Sequence, residues 1–188
     1  MTATRTVPVI EGPMKTGRWG SVGFRLNDPQ APAMCREALT TMLASFRLNN
    51  LQNGMGDYLR DDLPVILTEL VTNAQRYGGD AFPAGSFTLF HPGRWLHLTV
   101  HDKNPYRPTK EAAIARMHPY QGWEEKGRGL RVVQKLAEPH FGHLWYHSDG
   151  DKKTPGKVAH VAMLMPNLLW SHIYRCPFTG KMRAGTDR

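Results

Sequence analysis

Cysteine is scarce. Cys35 and Cys176 are the only two in 188 residues, which excludes a disulfide scaffold and makes a reducing cytoplasm the expected setting. No run approaches the roughly 18 consecutive apolar residues that a spanning helix needs, and the N-terminus lacks the apolar core of a secretory signal, so no membrane association is expected. Repeats with a period of about 20 to 50 residues are also missing, which excludes a solenoid. Acidic residues number 16 against 24 Lys and Arg, a formal charge of +8, so phosphate-bearing ligands and acidic partners stay open. Those basic residues are dispersed, without helix-turn-helix spacing or an RNA-binding aromatic signature, and direct nucleic-acid binding is not expected. His140, His143 and His147 have no cysteine or carboxylate at ligand spacing, which argues against zinc and for surface histidines. What is present is ordinary: 40% apolar and 21% charged residues, enough for one core that removes roughly 70% of the unfolded surface from water.

The pattern of apolar residues divides the chain. Residues 1–19 mix Pro, Gly, Lys and Arg without period and read as a loosely held arm, followed by a short strand at Ser21 to Leu26. After the turn signal Asn27-Asp28-Pro29, apolar residues recur at Cys35, Ala38, Leu39, Met42, Leu43 and Phe46, one face of a helix with Cys35 in the core. Asn49 to Gly56 interrupts, and Asp61 or Asp62 with Pro64 gives the cap-then-proline order that starts a second helix running to about Tyr77. The period then becomes two. Phe87, Leu89, Leu96, Leu98 and Val100 alternate with polar residues around His91-Pro92-Gly93-Arg94, as in a hairpin. Lys103 to Lys126 is aperiodic and long enough to be a lid. A third helix follows Gly127-Arg128-Gly129 and ends at Pro139, and strands are expected at His143 to His147 and Val158 to Met165, with Met163 and Met165 in the core. The order implies an α+β, two-layer sandwich, three main helices on one face of a mixed, mostly antiparallel sheet.

Three short segments carry chemistry. Glu69 and Asn73 are four apart on the second helix and project from one side, along the edge of a stripe made by Leu63, Ile66, Leu67, Leu70 and Ala74. A carboxylate beside a carboxamide oxygen suits Mg²⁺ shared with nucleotide phosphates, and Glu69 can alternatively orient or deprotonate a hydroxyl; as an isolated pair they would simply face solvent. Asp102 ends a strand where the long connection begins, placed either to accept a hydrogen bond from an exocyclic amine such as adenine's or to cap a turn, with Asn104 and Pro105 fixing the adjacent backbone. Gly127-Arg128-Gly129-Leu130 opens a helix; glycines there let backbone approach phosphate oxygens, although one Gly-x-Gly is also an ordinary tight turn.

In order and separation, Thr68 to Gly78, Val100 to Pro105 and Lys126 to Val133 resemble the N box and the two glycine boxes of Bergerat-fold ATPases, the superfamily of gyrase, MutL and the histidine kinases. The resemblance runs from about Phe24 to Met165, and the short branch of bacterial anti-sigma factors and switch-protein serine/threonine kinases is the nearest, with no room expected for a sensor or dimerisation module. It implies an arm over 1–19, an ATP-binding kinase-like domain over 20–166 and an extension over 167–188. Glu69 would be the general base, Asn73 the Mg²⁺ ligand and Asp102 the reader of the adenine amine. Asn104, Pro105, Lys126, Gly127, Arg128, Gly129 and Leu130 would complete the ATP site, and Lys157 falls at a last phosphate-side or strand-entry signal.

The chain departs from that pattern in three places. Tyr77 stands where many relatives have His, the box at Asp102-Lys103-Asn104-Pro105 has no glycine, and Glu124-Glu125-Lys126 stands where kinase relatives can place an arginine. The implied function is an ATP- and Mg²⁺-dependent regulator that binds a sigma factor or its antagonist and phosphorylates the antagonist on Ser or Thr, as monomer or homodimer. The alternative implied by the departures is an ATP-gated binding module without phosphotransfer.

Overall fold

The computed structural model describes residues 10–14, 17–48, 55–78, 84–91, 95–104, 128–148, 156–165, 174–175 and 182–183. Strands β1 (Ile10–Met14), β2 (Gly17–Arg25), β3 (Ala84–His91), β4 (Trp95–Asp102), β5 (His143–Ser148) and β6 (Lys157–Leu164) form one sheet in the order β1-β2-β3-β4-β6-β5. Every pairing in it is antiparallel, where the sequence suggested a mostly antiparallel sheet with some mixed pairing. Helices α1 (Ala31–Ser45), α2 (Met55–Tyr77) and α3 (Arg128–Ala137) pack on it, followed by a short 3-10 helix, Glu138–His140. Strands β7 (Tyr174–Arg175) and β8 (Met182–Arg183) pair separately. The architecture is the expected two-layer α+β sandwich. Part of the N-terminal arm is not loose: Ile10–Met14 forms an edge strand whose register on β2 runs from Ile10 opposite Ser21 to Met14 opposite Gly17.

The core lies between the helices and one sheet face. Leu39 and Met42 of α1, Leu59, Leu63, Ile66, Leu67 and Leu70 of α2, and Phe87, Leu89, Leu96, Leu98 and Met163 of the sheet are fully buried. Cys35 is in this core as expected, its thiol pushed up to about 12 by burial. The hairpin and third helix also lie where the period predicts.

Helix α2 begins earlier than its sequence signals. Pro64 is inside the helix rather than in its first turn, and Met55, Tyr58 and Leu59 are buried ahead of it. The backbone break at a proline costs one hydrogen bond, which the burial of three large side chains offsets at roughly 1.5 to 3 kcal/mol each. Tyr58 is held from two sides, its hydroxyl donating to Met163 Sδ at 2.8 Å and its ring 3.8 Å from that of His140.

The opposite sheet face is aromatic and rich in histidine. His97 Nδ1 and His160 Nε2 are 2.7 Å apart, and the rings of Phe90 and Trp145 flank them at 6.1 and 3.9 Å. His143 and His147 are therefore half-buried members of a ring cluster, not plain surface residues.

Candidate functional site

Helix α2 carries the first part of the site. Its apolar stripe fixes its rotation against the sheet, which leaves Glu69 and Asn73 on a partly sheltered edge. Helix α3 closes on that edge. An ideal Cβ at Gly129 would collide with Glu69 Oε2 and come within 3.5 Å of Asn73 Nδ2, so only glycine lets the first turn of α3 approach the carboxylate this closely. Because α3 starts at Arg128, its first-turn N–H groups and positive dipole end lie beside Glu69 and Asn73. Two segments more than 50 positions apart are thus brought together at one polar edge.

Asn73 Nδ2 is buried and has no hydrogen-bond partner among the described residues. A buried amide left without a partner costs roughly 1 to 3 kcal/mol, which a ligand at this edge would recover. Turning the carboxamide by half a turn presents Oδ1 to the same space, the donor a hard cation needs. An orphaned amide and a glycine cradle fit a phosphate-bearing ligand with its metal.

The second part of the site lies at the far end of α2. Asp102 closes β4 and is 3% exposed. Its Oδ1 accepts from the backbone N–H of Asn104 at 2.9 Å, the turn-capping role, and from Lys157 Nζ at 2.9 Å. Burial raises the Asp102 carboxyl above the ordinary range, opposed by the hydrogen bond and charge of Lys157 and by the Asn104 N–H. Asn104 Nδ2 in turn donates to the carbonyl of Tyr77, tying the mouth of β4 to the last residue of α2. From Glu69 to Tyr77 is about 12 Å along the helix axis at 1.5 Å per residue, so α2 links a polar end at Gly129 to a carboxylate end at Asp102. Half-buried Tyr146 on β5 is within electrostatic reach of Asp102; desolvation, then that charge, raises its hydroxyl.

Lys157 is the residue the sequence placed incompletely. It does open β6, the strand-entry position, but its ammonium reaches the Asp102 end of the site and not the Gly129 end. The cause is register: antiparallel pairing of β4 with β6 sets Lys157 directly opposite Asp102. Leu130 packs against the core. Pro105, Lys126, Gly127 and the expected lid over 103–126, apart from Lys103 and Asn104, lie outside the described residues, as does the side chain of Arg128.

A family profile described as "Histidine kinase-like ATPase domain" matches residues 31–154, from the start of α1 through the connection that follows β5. The chain belongs to that family. A histidine kinase-like ATPase domain is an ATP-binding domain. Among solved structures, the mycobacterial sensor histidine kinase MprB is similar at 19% identity and TM-score 0.45, over 56% of this chain and 71% of that one. The catalytic domain of histidine kinase ThkA is similar in two crystal forms, at 19% and 18% identity and TM-score 0.43, over 77% of this chain and 97% or 95% of theirs. No curated protein matches the chain. Among the described residues no helix is long and apolar enough to cross a membrane.

Proposed function

We propose that this histidine kinase-like ATPase domain is a cytoplasmic regulator of the anti-sigma type, which binds a sigma factor or its protein antagonist and transfers the γ-phosphate of ATP to a Ser or Thr of the antagonist. The observation that carries the reading is the closure of Gly129 onto Glu69 beside the orphaned Asn73 amide. In this reading Asn73 Oδ1 holds Mg²⁺, which supplies charge neutralisation at the phosphates. Glu69 takes the proton of the attacking hydroxyl as oxygen bonds to phosphorus and ADP leaves, while the first turn of α3 offers N–H groups to the phosphate oxygens. Asp102 accepts from the adenine amine. Guanine presents a carbonyl at that position, so GTP competes poorly. Neither a membrane nor direct contact with nucleic acid enters the proposal; a homodimer is compatible with it.

A second reading is favoured by Glu124-Glu125-Lys126, where a kinase would gain from an arginine fork on the transferred phosphoryl group. There the same site gates partner binding through ATP occupancy without transfer. One experiment separates them. Partners recovered by pull-down with and without ATP are incubated with γ-labelled ATP, and phosphate on Ser and Thr is scored for wild type and Glu69→Gln. Transfer reduced by roughly 10²- to 10⁴-fold in the variant, with partner binding kept, supports the kinase. ATP-dependent capture with no transfer by wild type supports the gated binder.

A further inference from the structure

The geometry points to Lys157 as a second base-reading residue, which donates a hydrogen bond to the ring nitrogen N1 of adenine while Asp102 accepts from the neighbouring amine. The inference deepens the adenine-nucleotide reading of the site and rests on it. Lys157 and Asp102 face each other across the β4–β6 pair, 6% and 3% exposed, with Nζ 2.9 Å from Oδ1. A lysine is rarely this buried unless it is paired, and burying the pair costs several kcal/mol per ion, a cost that a further hydrogen bond from the ammonium would offset.

The hydrogen bonds are distributed unevenly. Both donors to Asp102, the Asn104 N–H and the Lys157 ammonium, fall on Oδ1, which leaves Oδ2 as an acceptor with no partner among the described residues. The ammonium has three N–H groups, and its bond to Asp102 uses one of them. An acceptor and a donor therefore stand side by side, held in fixed order by their own ion pair. Adenine shows the complementary order on adjacent ring positions, an amine N–H next to the N1 lone pair. Guanine shows the reverse, a carbonyl next to an N–H, so the pair discriminates at two positions where Asp102 alone would do so at one. Asp102 by itself fixes the amine; Lys157 fixes which atom lies beside it.

The test compares ATP with 1-deaza-ATP, in which N1 is replaced by C–H, by titration calorimetry on the full chain. Wild type should bind 1-deaza-ATP at least about 10-fold more weakly, the scale of a hydrogen bond to a charged donor. In Lys157→Met, ATP should lose a similar factor and the two nucleotides should bind alike; Lys157→Gln, which keeps an N–H donor, should regain part of the preference for ATP. Equal affinity of wild type for both nucleotides overturns the inference without reference to any variant. So does a Lys157→Met protein that keeps the full preference, since Lys157 would then act only on Asp102, or one that binds ATP more tightly, since Lys157 would then compete with the base. If folded wild type binds neither nucleotide, the ATP reading falls and the role of Lys157 with it; binding of both with equal strength leaves the ATP reading standing and removes only Lys157.

Discussion

At Asp102 the cost of burying a carboxylate is set, among the described residues, against one ammonium and one backbone N–H, both on Oδ1. Asp102→Ala should therefore reduce ATP affinity by about 5- to 150-fold, the range for a lost buried hydrogen bond, as measured by calorimetry with a nonhydrolysable analogue. Unchanged affinity would remove the adenine assignment. Gly129 makes a different kind of demand. The added methyl of Gly129→Ala meets the end of a flexible Glu69 side chain, which can rotate away, so the melting temperature should change by only a few degrees. Displacing the carboxylate by about 1 Å should nevertheless cost about 100-fold in phosphate transfer, measured on a partner that wild type phosphorylates. Asp102 and Gly129 stand out in the sequence because each sits at an element boundary, one ending a strand and the other opening a helix. The Asp102–Lys157 contact does not, because it joins positions 55 apart and depends on strand register.

Helix α2 separates local preference from tertiary packing. The pair Asp61-Asp62 with Pro64 is a good local start signal, yet the helix begins at Met55 because Met55, Tyr58 and Leu59 gain more from burial than the proline loses. Leu59→Ala should then destabilise the protein by about 2 to 5 kcal/mol, read from the denaturant midpoint, although the sequence reading places Leu59 outside the helix. Helix α1 ends without glycine. Arg47 adopts φ 60°, and the Leu48 N–H donates back to the Leu43 carbonyl at 2.9 Å, closing the helix in a left-handed cap. The adjacent Asn49 and Asn50 made the stop legible; the residue that bears it was not, since arginine carries no signal for positive φ.

For the molecule as a whole, the aromatic face of the sheet couples stability to pH. Burial, with smaller contributions from His91 and His143, holds His97 down at about 3, and burial with Arg18 holds His91 at about 4. His97 packs against His160 and Phe90. These histidines are neutral in the fold and bind a proton near pH 6.5 once unfolded, so the unfolded state binds more protons as pH falls. Their contribution is complete above about pH 6.5 and is lost progressively towards pH 4 and 3. Between pH 6.5 and 5 each should cost about 2 kcal/mol of stability, at 1.36 kcal/mol per unit. Urea midpoints at pH 7.5 and 5 should fall accordingly in wild type. In His97→Asn the fall should be smaller by about one such step, even if the variant is weaker at pH 7.5.

The three-helix layer and the β3–β4 hairpin were readable from the chain alone, and the same local pattern singled out Glu69, Asn73, Asp102 and Gly129 as candidates, because hydrophobic period, turn residues and motif order are local properties of the chain. Tertiary structure alone decided the edge strand at Ile10–Met14, the early start of α2, the buried histidine face and the pairing of Lys157 with Asp102. Each of those depends on which distant segment supplies a hydrogen-bond ladder or an apolar cover. Such neighbours follow from strand register and layer packing, and neither is written in the spacing of adjacent residues.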